Sequence, residues 1–286
     1  KLQRALDHHQ QAAAIPRPAE LRTYNSWRIG QILYRLGRIN ESQQTFLKAI
    51  ELARSARRKD FVLKATDGLA QTFRLKGDWK RANDGFMSGL KYARTAEDKV
   101  RMLTGLGLVD VDRGETAEAD KHFAAAIDAA EKAPRKLPHN FQDAHRAMIA
   151  VANGSVGNAA SSLATIAQHY RNTGEDERLA VVEVMLARAE ALRRRPDEAR
   201  RHIAIARPIL AQHAPVDSSD VDLALVEVLI VEGKRAQARA LLEASAARIR
   251  QMQAWGRLDR VKALRRELAP KSRARAGTGA RAPNTT

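Results

Sequence analysis

Eight histidines, no cysteine and a few short glycine or serine strings are where any chemistry of this 286-residue chain would have to sit. The zinc-metalloprotease motif places two His four residues apart on one helical face with a Glu between them. None of His8, His9, His122, His139, His145, His169, His202 and His213 stands in that pattern. His139 and His145 are too far apart in sequence to share a helical face, and the adjacent His8 and His9 diverge around one. All eight read as surface or half-buried side chains. Without Cys there is no disulfide framework and no thiol nucleophile, so a zinc site would rest on His and carboxylates alone. Gly105-Leu106-Gly107 imitates a phosphate loop but falls inside a helical pattern with no strand before it. Ser88-Gly89-Leu90-Lys91 has a serine-to-lysine spacing with no supporting second motif, and Gly154-Ser155-Val156-Gly157 is not a nucleophile elbow. Glu175, Asp176 and Glu177 crowd a helix start, where carboxylates favour the macrodipole. The chain therefore reads as no enzyme, with no catalytic residue, no metal site and no cofactor.

Charge is the next candidate for function. The net charge is +17, which points to an acidic partner: a peptide, a nucleic acid or an anionic surface. Lys271, Arg273, Arg275 and Arg281 carry part of it in a Gly-, Ala- and Ser-rich tail after Pro270 that reads as disordered. Arg193, Arg194, Arg195, Arg200 and Arg201 form a second group, and Arg257, Arg260, Lys262, Arg265 and Arg266 a third. These groups can pair with phosphates, but Trp255 is the lone aromatic nearby and no nucleic-acid motif accompanies them, so nucleic acid ranks below protein as a partner. The composition, 44% hydrophobic and 29% charged, is that of a foldable helix-rich chain. The longest apolar stretch, Ala180–Ala187, is broken by Glu183, so no membrane span is expected. The chain opens at Lys1, which suggests that an upstream segment has been removed; the cytoplasm is the expected compartment.

The elements that would position these residues recur. Gly37, Gly77, Gly114, Gly154, Arg194 and Gly233 lie 37 to 40 residues apart. Five residues after each stands a small residue: Ser42, Ala82, Ala119, Ala159, Ala199, Ala238. Nine after each stands a large apolar one: Phe46, Phe86, Phe123, Leu163, Ile203, Leu242. Seven before each is Gly30, Ala70, Gly107, Ala147, Ala187 or Val226. A fixed period of this length means stacked supersecondary units, not a single globular core. The expected pairs are 23–36 with 41–57, 60–75 with 79–95, 98–112 with 116–131, 139–152 with 157–172, 176–193 with 197–213, and 219–231 with 235–251. A first helix within 1–15 and a last one over 255–268 would flank them. Pro196 suits a first helical turn, Pro208 threatens a kink, and Asp217–Asp220 supplies N-cap candidates. Phe46, Phe86 and Phe123 should fill the space between one hairpin and the next.

The pattern resembles the tetratricopeptide repeat (TPR) family. Trp27, Gly30, Leu33, Gly37, Ser42, Phe46 and Ala49 carry the resemblance in the first copy. Ala70, Gly77, Ala82 and Phe86 carry it in the second, and Gly107, Gly114, Ala119 and Phe123 in the third. The period exceeds the family's usual length of about 34 and looks more like the long-helix variants of bacterial regulatory and signalling proteins. The resemblance implies an all-α, right-handed superhelical solenoid of about six hairpins whose concave face is lined by the first helix of each pair. Residues 1–19 would be a cap or truncated repeat, 20–251 the array, 252–269 a C-terminal cap and 270–286 a basic tail.

Carried over residue by residue, the family's groove positions fall on Tyr24, Trp27, Gln31, Tyr34 and Arg35, then Lys64, Gln71 and Arg74 with Asp67, then Arg101 with Thr104 and Leu108. Aromatics among cations and amides suit capture of a peptide bearing carboxylates. Trp27 and Gln31 replace the Lys and Asn of the chaperone-binding carboxylate clamp, which argues against that ligand. The alternative is that Trp27 and Tyr34 do no more than pack against the N-terminal helix. The later repeats offer Phe141, Met148, Val181, Val184, Leu223 and Ile230, either an apolar stripe for a partner or a surface buried by tight curvature. The expected function is a non-catalytic scaffold or adaptor holding a peptide or partner domain. The alternatives are an effector-sensing region of a bacterial regulatory protein and a basic nucleic-acid-binding array. Nothing in the residues sets the oligomeric state.

Overall fold

The computed structural model describes residues 1–15 and 18–269. Fourteen α-helices and two short 3-10 turns make up the described residues, with no strand among them. They are α1 (Leu2–Ala14), α2 (Ala19–Arg35), α3 (Ile39–Ser55), α4 (Lys59–Leu75), α5 (Trp79–Tyr92), α6 (Ala96–Arg113) and α7 (Thr116–Glu131). There follow α8 (Asn140–Ala152), α9 (Val156–Thr173), α10 (Asp176–Leu192), α11 (Pro196–His213), α12 (Ser218–Val231), α13 (Arg235–Gln251) and α14 (Leu258–Leu268). The 3-10 turns Pro215–Asp217 and Trp255–Arg257 precede α12 and α14. Even-numbered helices from α2 to α12 are the inner members of six hairpins, and α3 to α13 are the outer ones. The basic segment 270–286 lies outside the described residues.

Turn chemistry stops each inner helix. Gly37, Gly77, Gly114, Gly154 and Gly233 take φ between +71° and +92°, and Arg194 takes the same left-handed backbone at +59°. The residue after each turn position then donates its N–H to a carbonyl five residues back, as Arg38 does to Leu33 and Arg195 to Glu190. This closes the orphaned helix end. The expected Asn172–Gly174 stop is present, with Gly174 at φ +70°.

The repeated phenylalanines are the keystones of packing. Phe46, Phe86 and Phe123 are at most 1% exposed. A methyl group on Gly30 would sit 2.8 Å from the Phe46 ring, and one on Gly68 of the next inner helix would collide with the same ring. Each ring therefore plugs into its own hairpin and the following one. Gly105 and Gly107 serve Phe86 and Phe123 in this way, so the phosphate-loop imitation is a pair of ring sockets within α6. Ser42 is fully buried and donates to the Gly30 carbonyl at 2.9 Å, tying outer helix to inner.

Pro208 lies within α11, whose extent to His213 matches the expected helix. Two local expectations change. Asp217 holds the N-cap position of α12 but makes no cap hydrogen bond, its carboxylate being taken by Arg257 at 2.6 Å. His145 is buried rather than superficial: its ring lies 5.2 Å from Phe123 and 4.4 Å from Phe141, and Nδ1 pairs with the Phe141 carbonyl. Burial lowers its pKa to about 4, so the ring is neutral at pH 7.

The later hairpins add triads centred on buried carboxylates. Glu183 of α10 receives Arg171 of α9 at 2.9 Å and His202 of α11 at 2.6 Å. One repeat later, Asp222 of α12 receives Arg207 of α11 at 3.0 Å and pairs with Arg248 of α13. Each carboxylate staples an inner helix to the outer helices on both sides. Of the expected apolar stripe, Val184 and Leu223 are buried in hairpin cores, whereas Phe141, Met148, Val181 and Ile230 stay partly exposed.

Candidate functional site

The sequence-predicted residues gather at the two ends of α2 and α4. Near the helix starts, Tyr24, Trp27 and Phe61 form a ring cluster with centroids 5.8 to 6.2 Å apart. Lys64 Nζ lies 5.6 Å from the Trp27 centroid and 4.9 Å from that of Phe61. Tyr24 is 41% exposed. Trp27 packs against α4, and the rings form a half-open platform with a cation on it. His9 of α1 also approaches Tyr24, at 6.4 Å. Gln31 accepts from Arg28 at 3.1 Å beside this platform.

Between the two ends lies Asp67. Its Oδ2 is 3.9 Å from Arg101 Nε, and its Oδ1 is buried without a hydrogen-bond partner. Arg101 Nη1 is likewise buried and unpartnered, although Asp98 stands 3.6 Å away. Burial raises the Asp67 carboxyl to about 6, with Arg101, Gln71 and Arg74 pulling the other way. Thr104 accepts from Gln142 across the α6–α8 step at 2.7 Å, leaving Gln142 Oε1 free of partners.

At the helix ends, Tyr34 lies beside Arg74, and Arg74 pairs with Asp112 of α6 at 3.1 Å. Burial pushes the Tyr34 phenol up. Arg35 reaches across to Glu177 of α10 at 2.7 Å. Sequence reasoning missed what covers this end. The turns after α2 and α4 meet the 3-10 turns before α12 and α14, so the sixth hairpin touches the first two. Ile39, Leu75 and Val216 are buried together there, with Tyr34 and Met252 packed on them. Arg257 sits in the same place between Asp217 and Asp220, and its pKa is raised by both carboxylates. A cleft of about 500 Å³ opens beside this junction, lined by Gly37, Ile39, Ser219, Arg248 and Met252 among others.

Ion pairs also cross the later inner helices. Arg188 of α10 meets Glu227 of α12 at 3.2 Å, and Glu227 meets Arg260 of α14 at 3.0 Å. Partners stand about one repeat apart, which is the signal sequence inspection could have used: opposite charges at equivalent inner positions of successive hairpins. The basic clusters are mostly self-paired too, with Arg193 on Glu190, Arg200 on Glu232, Arg201 on Glu198 and Arg265 on Glu243. No group of side chains that could hold a metal ion is present among the described residues.

Residues 20–95, the first two hairpins, match the family model described as tetratricopeptide repeat. These two hairpins are tetratricopeptide repeats. No curated protein matches the sequence. Solved structures share the fold across most of the TPR array. The apo form of RapI is 13% identical over 88% of this chain and 92% of its own, with a TM-score of 0.61. The Rap conjugation gene regulator of plasmid pLS20, in complex with the Phr* peptide, is 16% identical over 86% of this chain and 67% of its own, with a TM-score of 0.67. A Rap protein complexed with Competence and Sporulation Factor is 14% identical over 92% and 75%, with a TM-score of 0.61. No helix among the described residues is long and apolar enough to cross a membrane.

Proposed function

We propose that this TPR array is a non-catalytic interaction module that holds an extended peptide along its inner helices, with residues 20–251 as the binding array. The contact set is Tyr24, Trp27, Gln31, Tyr34, Arg35, Lys64, Gln71, Arg74 and Arg101. One observation carries the reading: Tyr24, Trp27 and Lys64 form a half-open aromatic platform with a cation on it. A peptide offers an apolar or acidic side chain to the rings and Lys64. Preformed helices lose little freedom on binding, which favours affinity. Lys64 has no carboxylate within ion-pair distance among the described residues, so an acidic group is the preferred neighbour there. A cytoplasmic partner is proposed.

The second reading, an effector-sensing regulatory region, draws on the fold likeness to Rap structures described in complex with the Phr* peptide or with Competence and Sporulation Factor. Both readings make the ligand a peptide and differ in what binding does. A display library of random peptides, selected on the parent chain, tests the shared claim. Selected peptides should lose at least tenfold in affinity on Lys64→Glu and on Trp27→Ala variants whose helicity by circular dichroism matches the parent. Equal affinity for all three proteins would remove the platform from the site.

A further inference from the structure

A solenoid hairpin ordinarily touches its sequence neighbours; the junction between the first two hairpins and the sixth, like the Arg35–Glu177 pair between α2 and α10, joins distant ones. Here turns four and five repeats apart meet face to face. A side chain on Gly37 would come within 2.6 Å of Met252 Sδ, and the Gly77 position lies 3.2 Å from the Gly256 nitrogen. A methyl on Gly256 would stand 2.5 Å from the Arg74 carbonyl oxygen. The apolar part of the seam is small: Ile39, Leu75 and Val216 are its buried side chains. The polar part is incompletely satisfied, since Arg74 Nε, Arg257 Nη1 and Arg260 Nε are buried donors without acceptors. Buried unpaired donors disfavour the closed form, and water would satisfy them in an open one. A slight change of superhelical twist, spread over the hairpins, parts the seam while leaving every repeat core intact.

We infer that this seam is a gate on the groove. Closed, it covers Tyr34 and Arg74, two of the inner-face contact residues; open, it presents them together with their unpartnered donors. The inference rests on the peptide-binding reading for its purpose, though not for its existence. A ligand that engages Tyr34 and Arg74 selects the open form, and whatever tightens the seam excludes it.

A disulfide can lock the seam, because the chain contains no other cysteine. The Cβ position of Gly37 is 3.7 Å from Met252 Cβ, within the range a disulfide spans. The left-handed backbone at Gly37 tolerates a side chain, as Arg194 shows at the equivalent turn. The experiment compares the parent, an oxidised Gly37→Cys/Met252→Cys pair and a Gly37→Ser/Met252→Ser control. O-acetylation of tyrosines by N-acetylimidazole is followed by mass spectrometry. Tyr34 should react at least tenfold more slowly in the locked protein than in the other two, while Tyr92, which is 75% exposed, reacts equally in all three. A Gly256→Val variant, which forces the seam apart, should react faster at Tyr34 than the parent. Equal Tyr34 rates in locked and parent proteins overturn the gate, as does failure of the bond to form in folded protein. Peptides selected on the parent should bind the locked form at least tenfold more weakly. Equal binding despite a protected Tyr34 overturns the gate's control of the site and leaves peptide binding standing. Failure to select any peptide sinks the binding reading, and the tyrosine rates alone then decide whether the seam opens.

Discussion

Replacing Asp67 by Asn should change the pH dependence of stability in a direction unusual for a carboxylate. The folded protein holds the Asp67 carboxyl at about 6, above its ordinary 3.8, because burial outweighs the pull of Arg101 at 3.9 Å. Between those two values the native state binds a proton that the unfolded chain has released. Stability from this group is therefore full below about pH 4 and falls as pH rises through about 6. Roughly two pH units at about 1.4 kcal/mol each give a loss on the order of 3 kcal/mol. Asn keeps the shape and takes no charge. Urea unfolding followed by circular dichroism at pH 4 and pH 7.5 should show Asp67→Asn gaining stability over the parent at the higher pH, by about that amount relative to the lower. Parallel profiles for the two proteins would mean that Asp67 is adequately paired, and the description of its neighbourhood as polar but unsatisfied would be wrong.

His145 should behave oppositely. Its pKa falls from 6.5 to about 4 through burial, so its stabilising contribution is present above about pH 6.5 and is lost as pH falls toward 4; unfolding of His145→Gln should lack that loss, again on the order of 3 kcal/mol. Gly105→Ala should destabilise by about 1–3 kcal/mol because its methyl meets the Phe86 ring, and adding Phe86→Leu should recover part of the loss in the same denaturation assay. Arg194→Gly should stabilise by up to about 1 kcal/mol, read as a raised melting temperature, since φ is +59° there and Arg194 makes no ion pair among the described residues. Asp222→Asn should cost about 1–3 kcal/mol, because Arg207 and Arg248 lose a buried acceptor yet remain half-exposed to water.

The hairpins were legible because helix ends and packing contacts have local signatures. Glycine recurs where the backbone must turn left-handed, and Phe46, Phe86 and Phe123 recur where one ring must fill two hairpins at once. Observed helix limits stay within a few residues of the expected ones for that reason. His145 was misread because a single buried polar ring has no periodicity to reveal it. The Asp217 carboxylate was assigned to a cap because its competitor, Arg257, is a full repeat away in sequence. The seam was invisible for a related reason. It depends on superhelical twist, a small rotation summed over five hairpins, and no residue encodes that sum. Of the site residues, Tyr24, Trp27 and Lys64 do come together, as do Tyr34 and Arg74; Arg35 and Arg101 each face a carboxylate that sequence alone did not supply.

These carboxylates alter what the net charge means for recognition. A surplus of +17 invites an electrostatic account of the groove, but Arg35, Arg74 and Arg101 are each opposite an acid of their own. An acidic ligand gains from a paired guanidinium only by displacing the resident carboxylate, and the gain depends on how well that carboxylate was held. Asp112 meets Arg74 at hydrogen-bonding distance, whereas Asp67 stands off from Arg101 with one oxygen unpartnered. Arg101 is thus the guanidinium most open to exchange, and Lys64, held over Trp27 and Phe61, is the cation with no resident acid to displace. On the proposed peptide-binding reading, selectivity would follow from local defects in pairing rather than from bulk charge, and a ligand carboxylate would have its greatest advantage between Lys64 and Arg101, next to the aromatic platform.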